Sequence, residues 1–220
     1  MALDTASVHL ITDEQQLREI IGEPTDTVLS KISDHVNQLT RQFIERSPYV
    51  CVATARPGTP FGARGGGLDV SPRGDPPGFV RVLDERTLLL PERPGNRIAD
   101  TFTNLLADPR IALLFLLPGV GDTFRVNGRA VVTDDAELLA PSSVDGRAPK
   151  LGLLITIEEA YTHCPKASIR SEVWDPANYV DRAELPSSGA ILRSLNSPEF
   201  DAERYDSERA ERYARGEGLY

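Results

Sequence analysis

The spacing of apolar residues divides the chain into a helical start, a run of strands and a polar end. In TDEQQLREIIG, residues 12–22, Thr12 stands as an N-cap with Gln15 three residues on, a capping-box spacing, and Gly22 as a stop. VLSKISDHVNQLTRQFIERS then repeats apolar residues at Ile32, Val36, Leu39, Phe43 and Ile44, the stripe of a second helix, with His35 on its surface. YVCVATA, 49–55, is β-branched and apolar and predicts a buried strand, in which Cys51 acts as a small core residue.

FVRVLDERTLLLP predicts two strands joined at Asp84–Arg86, and GNRIADTFTNLLADP a helix ending before Pro109. RIALLFLLPG and DTFRVNGRAVVTD are two further strands; the second alternates through Phe124, Val126 and, beyond Gly128, Val131 or Val132. KLGLLITIEEAYTHC is the sixth and longest, and PKASIRSEVW opens a short helix. Between the first two strands, GTPFGARGGGLDVSPRGDPPG reads as a hairpin or loop; its glycines miss the G-x-G-x-x-G spacing and no βαβ unit surrounds them. About six strands interrupted by one or two helices favour a small antiparallel barrel with flanking helices over a doubly wound sheet. The expected division is a helical extension at 1–48, a barrel domain at 49–178 and a polar tail at 179–220. In that tail Glu208–Arg212 and Glu211–Arg215 stand at i,i+4, as in a solvated helix or a disordered end.

A length of 220 residues allows one domain with a sizeable core, and a net charge of -9 argues against a general nucleic-acid binder. No apolar run is long and charge-free enough for a membrane span, and the N-terminus has no signal-peptide pattern. Two cysteines outside any C-x-x-C make no disulfide framework, so a reducing cytoplasm is the expected compartment. No metal site is expected, since His163 and Cys164 have no companions at ligand spacing.

Three clusters carry candidate chemistry. Arg93, Pro94, Gly95, Asn96 and Arg97 stand where an apolar strand gives way to a helix. Gly95 permits close backbone approach, Asn96 is placed to cap the helix, and Arg97 in its first turn opposes the helix dipole unless an anion sits nearby. The competing expectation pairs Arg93 and Arg97 with Glu92 and Asp100 on the surface. Upstream, Ser71, Arg73 and Asp75 lie on a turn-rich stretch, as a pocket wall or as a rigid turn with a local Arg–Asp pair. Near the end, Lys166 and Arg170 are i,i+4 and Trp174 extends the same stripe, a combination suited to an anionic aromatic ligand.

With SPRGDPPGFV, DERTLLLPERPGNRIADTFTNLLADPRIALLFLLPG, RVNGRA and HCPKASIRSEVWDP assembled, the chain resembles the pyridoxamine-phosphate-oxidase-like, FMN-binding split β-barrel family over roughly residues 20–178, and most closely a bacterial subfamily of FMN-dependent enzymes. The resemblance implies a six-stranded antiparallel split β-barrel working as a homodimer, with FMN at the subunit interface. It implies that Asn96 and Arg97 hold the FMN phosphate. Val80, Arg81, Leu90 and Pro91 match positions lining the flavin ring and ribityl chain, and Thr123 matches one near the ring. Lys166, Arg170 and Trp174 resemble residues that the second subunit presents to the site.

The resemblance further implies an oxidoreductase acting on a small molecule. Arg73, Lys166 and Arg170 are then the candidate cations for charge that builds on the reduced ring. The alternatives are a flavin-storing or sensing protein without catalysis, and a haem- or deazaflavin-binding relative. The longer basic phosphate signature of the oxidase proper and its pyridoxal-phosphate-binding residues have no counterpart here, so pyridoxamine phosphate is not the expected substrate.

Overall fold

The structure is a computed structural model that describes residues 8–58 and 67–220. It separates into two units, Met1–Ile32 and Ser33–Tyr220.

The first unit carries α1 (Glu14–Ile21) and α2 (Asp26–Leu29). Asp13, rather than Thr12, caps α1: its side chain accepts from the Gln16 amide at 2.9 Å, because its carboxylate is the better acceptor one position nearer the helix. Gly22 ends the helix at a φ of 76°, in keeping with its sequence position.

The predicted second helix does not form as one piece. It is broken into α2 and, in the second unit, α3 (Arg41–Arg46). Between them Ser33 forms a β-bridge with Ala160, and the Asn37 side chain accepts from the amides of Leu39 and Thr40 at 2.9 Å. An Asn turn and a bridge to a strand satisfy backbone groups that a helix would otherwise claim. Of the apolar stripe, Val36 and Ile44 are buried while Ile32 and Leu39 face outward.

The second unit is built on one antiparallel sheet: β1 (Tyr49–Arg56), β2 (Gly67–Gly74), β3 (Arg81–Asp84), β4 (Thr87–Pro91), β5 (Arg110–Leu116), β6 (Thr123–Thr133) and β7 (Gly152–His163). The spatial order is β2-β1-β5-β6-β7-β4-β3. The sheet therefore has seven strands, where the apolar pattern predicts six. The added strand is β2, which makes a hairpin with β1 from the second half of the Gly-rich stretch. Pro72 and Gly74, which look like turn formers, are tolerated because β2 is an edge strand and needs hydrogen bonds on one side only. Residues 59–66, the rest of that stretch, lie outside the described residues. Among the described residues no strand ladder joins β2 to β3, so the sheet is not closed into a barrel by backbone pairing.

β6 and β7 are the long members and carry the sheet from one half to the other. At their crossing, a Cβ on Gly128 would stand 2.0 Å from the Thr156 carbonyl oxygen, so only glycine permits this approach. An extra residue in β7, Glu158, bulges the pairing between Asn127–Glu159 and Gly128–Ile157. Burial in β7 shifts accordingly, from Leu153, Ile155 and Ile157 to Ala160. In β6 the buried face runs through Phe124, Val126 and Ala130, with Val132 against the core and Val131 59% exposed, which resolves the Val131–Val132 alternative.

One core fills the curled sheet. Val50, Val52, Leu88, Leu90, Leu113, Phe115, Phe124 and Ile155 are all at most 2% exposed. Each such side chain contributes about 1.5–3 kcal/mol of burial. Cys51, placed in the core by its sequence context, is only half-buried, because the alternation of β1 turns it to the outer face. Helix α4 (Asp100–Ala107) lies over β1, β2 and β6, and α3 over β3 and β6. Two short helices, α5 (Ala136–Leu139) and α6 (Lys166–Ser171), follow β6 and β7, and the tail is ordered as α7 (Ser188–Leu195) packed on α8 (Ala202–Ala214). At their contact Gly189 leaves no room for a Cβ, which would meet the Ala202 oxygen at 2.3 Å.

Candidate functional site

The segment between β4 and α4 carries the predicted anion site. Its local geometry differs from the sequence-based expectation in one respect: the helix starts later. Asn96 does not cap α4; its Oδ1 accepts from the Ile98 amide at 3.0 Å and closes a local turn. Arg97 and Ala99 both adopt left-handed backbone, each at a φ of 63°, and Ala99 is the N-cap. Arg97 therefore stands ahead of the helix rather than in its first turn, on the approach to the N-terminus. Left-handed geometry at a residue with a Cβ costs about 1–2 kcal/mol.

No side chain caps α4, so its first-turn amides keep their unpaired character and the positive end of the dipole is open. Residues 94–99 are all exposed. Among the described residues no carboxylate lies within ion-pair distance of Arg97.

The other two arginines around this segment are paired with carboxylates, in a crossed arrangement, while Asp100 stands in the first turn of α4. Arg93 Nε donates to Asp75 Oδ2 at 2.6 Å, and Arg73 Nε lies 3.4 Å from Glu92 Oε2. The expected local pair between Arg73 and Asp75, and the expected pairing of Arg93 with Glu92, both give way to pairs that bridge the end of β2 and the end of β4. Curvature of the sheet brings these two ends together although β2 and β4 are far apart in strand order. Burial outweighs the Arg73 guanidinium at Glu92 and holds its carboxyl above the usual range.

Below this level a second set of polar groups supports the start of α4. Thr101 Oγ donates to Asp69 Oδ2 at 2.8 Å, Ser71 Oγ donates to the same carboxylate, and Arg73 Nη2 donates to Thr101 Oγ at 3.2 Å. Deeper, Asn104 Nδ2 donates to Thr54 Oγ at 3.1 Å and ties α4 to β1. Asp69, Ser71 and Arg73 occupy alternate positions of β2 and so share a face. That alternation is the available signal for Asp69, and the reading of the stretch as a hairpin or loop leaves it unused. Thr101, on the helix that the face meets, has no comparable signal.

Tyr220 is not legible in the sequence at all. Its hydroxyl donates to Asp75 Oδ1 at 2.6 Å, and the Arg93 guanidinium carbon lies 5.5 Å from its ring centroid. The bond to Asp75, followed by burial, raises the phenol above its usual pKa.

The remaining predicted residues are distributed as follows. Val80 and Leu90 are buried in the core, and Pro91 closes β4 opposite Gly152. Arg81 is half-buried, with Nη1 donating to the Leu138 carbonyl at 2.9 Å. Thr123 opens β6 opposite His163. Lys166 and Arg170 lie exposed on α6 (Lys166–Ser171). Trp174 is not on their stripe: Glu172 turns left-handed at a φ of 50° and ends the helix, and the indole N–H donates to the Val120 carbonyl at 2.9 Å.

Asn96 and Arg97 follow Pro91, which pairs with Gly152 at one end of the β6–β7 ladder, whereas Thr123 opens the other end opposite His163, and Lys166, Arg170 and Trp174 follow β7 there. Arg73 bridges the two: the register sets it in the cross-strand row of Val50, Phe115 and Phe124, beside Thr123, while its side chain reaches Glu92 beyond β4.

Among the described residues no cluster of His, Cys, Asp and Glu could hold a metal ion, and no helix is long and apolar enough to cross a membrane.

Several solved structures are similar to this chain. HupZ of Group A Streptococcus is 17% identical, with 58% of this chain and 93% of that one covered and a TM-score of 0.45. General Stress Protein 26 of Bacillus anthracis is 15% identical, with 56% and 89% covered and a TM-score of 0.39. A Clostridium acetobutylicum protein related to general stress protein 26, of the pyridoxinephosphate oxidase family, is 15% identical, with 57% and 87% covered and a TM-score of 0.39. No curated protein matches the chain. The family model for pyridoxamine 5'-phosphate oxidase matches residues 36–164, more than half of the sequence, from the bridge segment before α3 to the end of β7. The chain belongs to the pyridoxamine 5'-phosphate oxidase family.

Proposed function

We propose that the protein is an FMN-dependent oxidoreductase acting on a small molecule, with the FMN phosphate seated on the 95–99 segment. The observation that carries this reading is the uncapped N-terminus of α4 beside Arg97. Among the described residues Arg97 has no carboxylate partner, while Arg73 and Arg93 are neutralised. Amides without a side-chain cap, a helix dipole and an unneutralised guanidinium fit a phosphate dianion in charge and in donor type. Bound FMN supplies two-electron chemistry at its ring.

The chain's own residues do the rest. Asn96 shapes the turn that presents the amides. Arg97 supplies a charge-assisted contact to the phosphate. The Asp69–Thr101–Arg73 bonds fix the helix start, so that the site needs little rearrangement on binding. Arg73, engaged by Glu92 and Thr101, acts here as a positioning residue.

A second copy of the chain completes the site in this reading. The outer face of β2, β1 and β5 supports it: Leu68 is 74% and Val70 69% exposed, beside the half-buried Cys51, Ala53 and Leu114 on neighbouring strands. An apolar face three strands wide favours burial against its own copy.

The test is the visible spectrum of the purified protein after incubation with FMN and gel filtration. A retained flavin band, released when the protein is diluted until it runs as a monomer, supports the reading. A colourless protein, a Soret band, or flavin retained by the monomer contradicts it.

A further inference from the structure

The outward face of the β6–β7 ladder carries three cross-strand pairs in succession: Thr123 with His163, Arg125 with Tyr161, and Asn127 with Glu159. Phe124, Val126 and Ala160 point the other way, into the core. In the third pair, Asn127 Nδ2 donates to Glu159 Oε1 at 2.7 Å. The middle pair is of a different kind. Arg125 Nη1 donates to the Tyr161 hydroxyl at 2.8 Å, and the guanidinium carbon lies 5.4 Å from the Tyr161 ring centroid. A phenol orients a guanidinium without cancelling its charge. Among the described residues no carboxylate lies within ion-pair distance of Arg125, whereas Arg41, Arg93 and Arg110 each hold one.

Arg125 is half-buried, so its charge is partly withdrawn from water while the side chain is held in one place. On one flank the Tyr161 ring packs against His163, with centroids 4.9 Å apart. On the other, Leu114 of β5 pairs with Arg125 and brings an apolar side chain alongside. We infer that Arg125, positioned by Tyr161, recognises a small carboxylate with an apolar body; His163 backs the Tyr161 ring and Leu114 forms an apolar wall. A single guanidinium fork matches a carboxylate bidentately. Glu159, two residues from Tyr161 on the same face, disfavours a dianion.

The inference deepens the oxidoreductase reading and rests on it in one respect: the carboxylate is taken as the substrate's, because Thr123, implied to lie near the flavin ring, is the next pair on this ladder.

The test is isothermal titration of the full-length protein with benzoate and with benzamide, each with and without FMN. Benzoate is expected to bind and benzamide to bind at least about tenfold more weakly. Arg125→Gln is expected to lose about tenfold or more of the benzoate affinity with FMN affinity unchanged, and Arg125→Lys to retain part of it. In the wild-type protein, benzoate is expected to shift the backbone amide resonances of Leu114, Arg125, Tyr161 and His163, a readout that needs no variant.

Equal binding of benzoate and benzamide, undiminished benzoate affinity in a folded Arg125→Gln protein, or resonance shifts confined to other residues would each overturn the inference. Arg125-dependent benzoate binding in a protein that takes up no FMN would leave the carboxylate site standing and remove the flavin reading.

Discussion

Asp75 and Arg93 form a nearly closed ion pair: the Asp75 side chain is 2% exposed, that of Arg93 17%, and the bond is 2.6 Å long. Because Asp75 follows β2 and Arg93 follows β4, this bond ties two parts of the sheet that no ladder connects directly among the described residues. It also fixes the strand end from which the 94–99 segment departs. The other oxygen of Asp75, Oδ1, accepts from the Tyr220 hydroxyl at 2.6 Å, so one carboxylate holds both a guanidinium and a phenol.

Asp75→Ala leaves a guanidinium and a phenol without their acceptor in a poorly hydrated place. The expected loss is about 1.5–3 kcal/mol in urea-induced unfolding, the range for hydrogen bonds to charged groups. Tyr220→Phe, which removes one donor and leaves the ion pair intact, is expected to cost less. Equal stability of Asp75→Ala and the wild type would show that the pair does not hold the two strand ends.

Glu92 gives a pH signature of opposite sign to an ordinary salt bridge. Burial raises its carboxyl pKa in the folded protein despite Arg73, so the folded state holds the proton to higher pH than the unfolded chain. Stability tied to this group therefore falls as pH rises from the ordinary value of 4.5 through the folded one. Glu92→Gln cannot ionise and escapes that loss. Its unfolding free energy minus that of the wild type is expected to increase from below the ordinary carboxylate value to neutral pH. A difference that decreases with pH would mean that the Arg73 charge prevails over burial.

Asp108 behaves in the usual way. Bonds from the Arg110 side chain and amide hold its carboxyl down to about 2. Stability from this group is present above the ordinary value of 3.8 and is lost as pH falls towards 2. Asp108→Asn is expected to flatten that part of the acid-unfolding profile; an unchanged profile would contradict the assignment.

Gly128→Ala tests the β6–β7 crossing. Its Cβ would meet a backbone carbonyl at 2.0 Å, which cannot rotate away like a side chain. The expected cost is about 1–3 kcal/mol or more in chemical denaturation. A stable Gly128→Ala protein would mean that the two strands part readily at the bulge.

The sequence makes the strands legible where apolar alternation is strong. β1 and β3 to β7 all form where their patterns put them. What it conceals has a physical cause in each case. β2 hides behind Pro72 and Gly74, which are harmless only at an edge, and a strand's place in the sheet is not a local property. The helix predicted across 28–47 breaks because Asn37 and the Ser33–Ala160 bridge offer the backbone other partners.

At the candidate site, the residue types are legible and their pairing is not. Arg73, Asp75, Glu92 and Arg93 all stand out as charges of interest, but curvature of the sheet decides that they pair crosswise. The cap of α4 moves from Asn96 to Ala99 and its first residue from Arg97 to Asp100, because Arg97 and Ala99 turn left-handed, a conformation that neither residue advertises.

The most direct test is the affinity of the protein for FMN and for riboflavin, followed by quenching of flavin fluorescence, in the wild type and in Arg97→Ala. Riboflavin has the ring and ribityl chain without the phosphate. The wild type is expected to prefer FMN, and Arg97→Ala to lose about 1.5–3 kcal/mol of FMN affinity, or about tenfold to a hundredfold, while its riboflavin affinity stays the same. Equal affinity of the wild type for the two flavins, or an Arg97→Ala protein that binds FMN as tightly as the wild type, would contradict a phosphate seat at the start of α4.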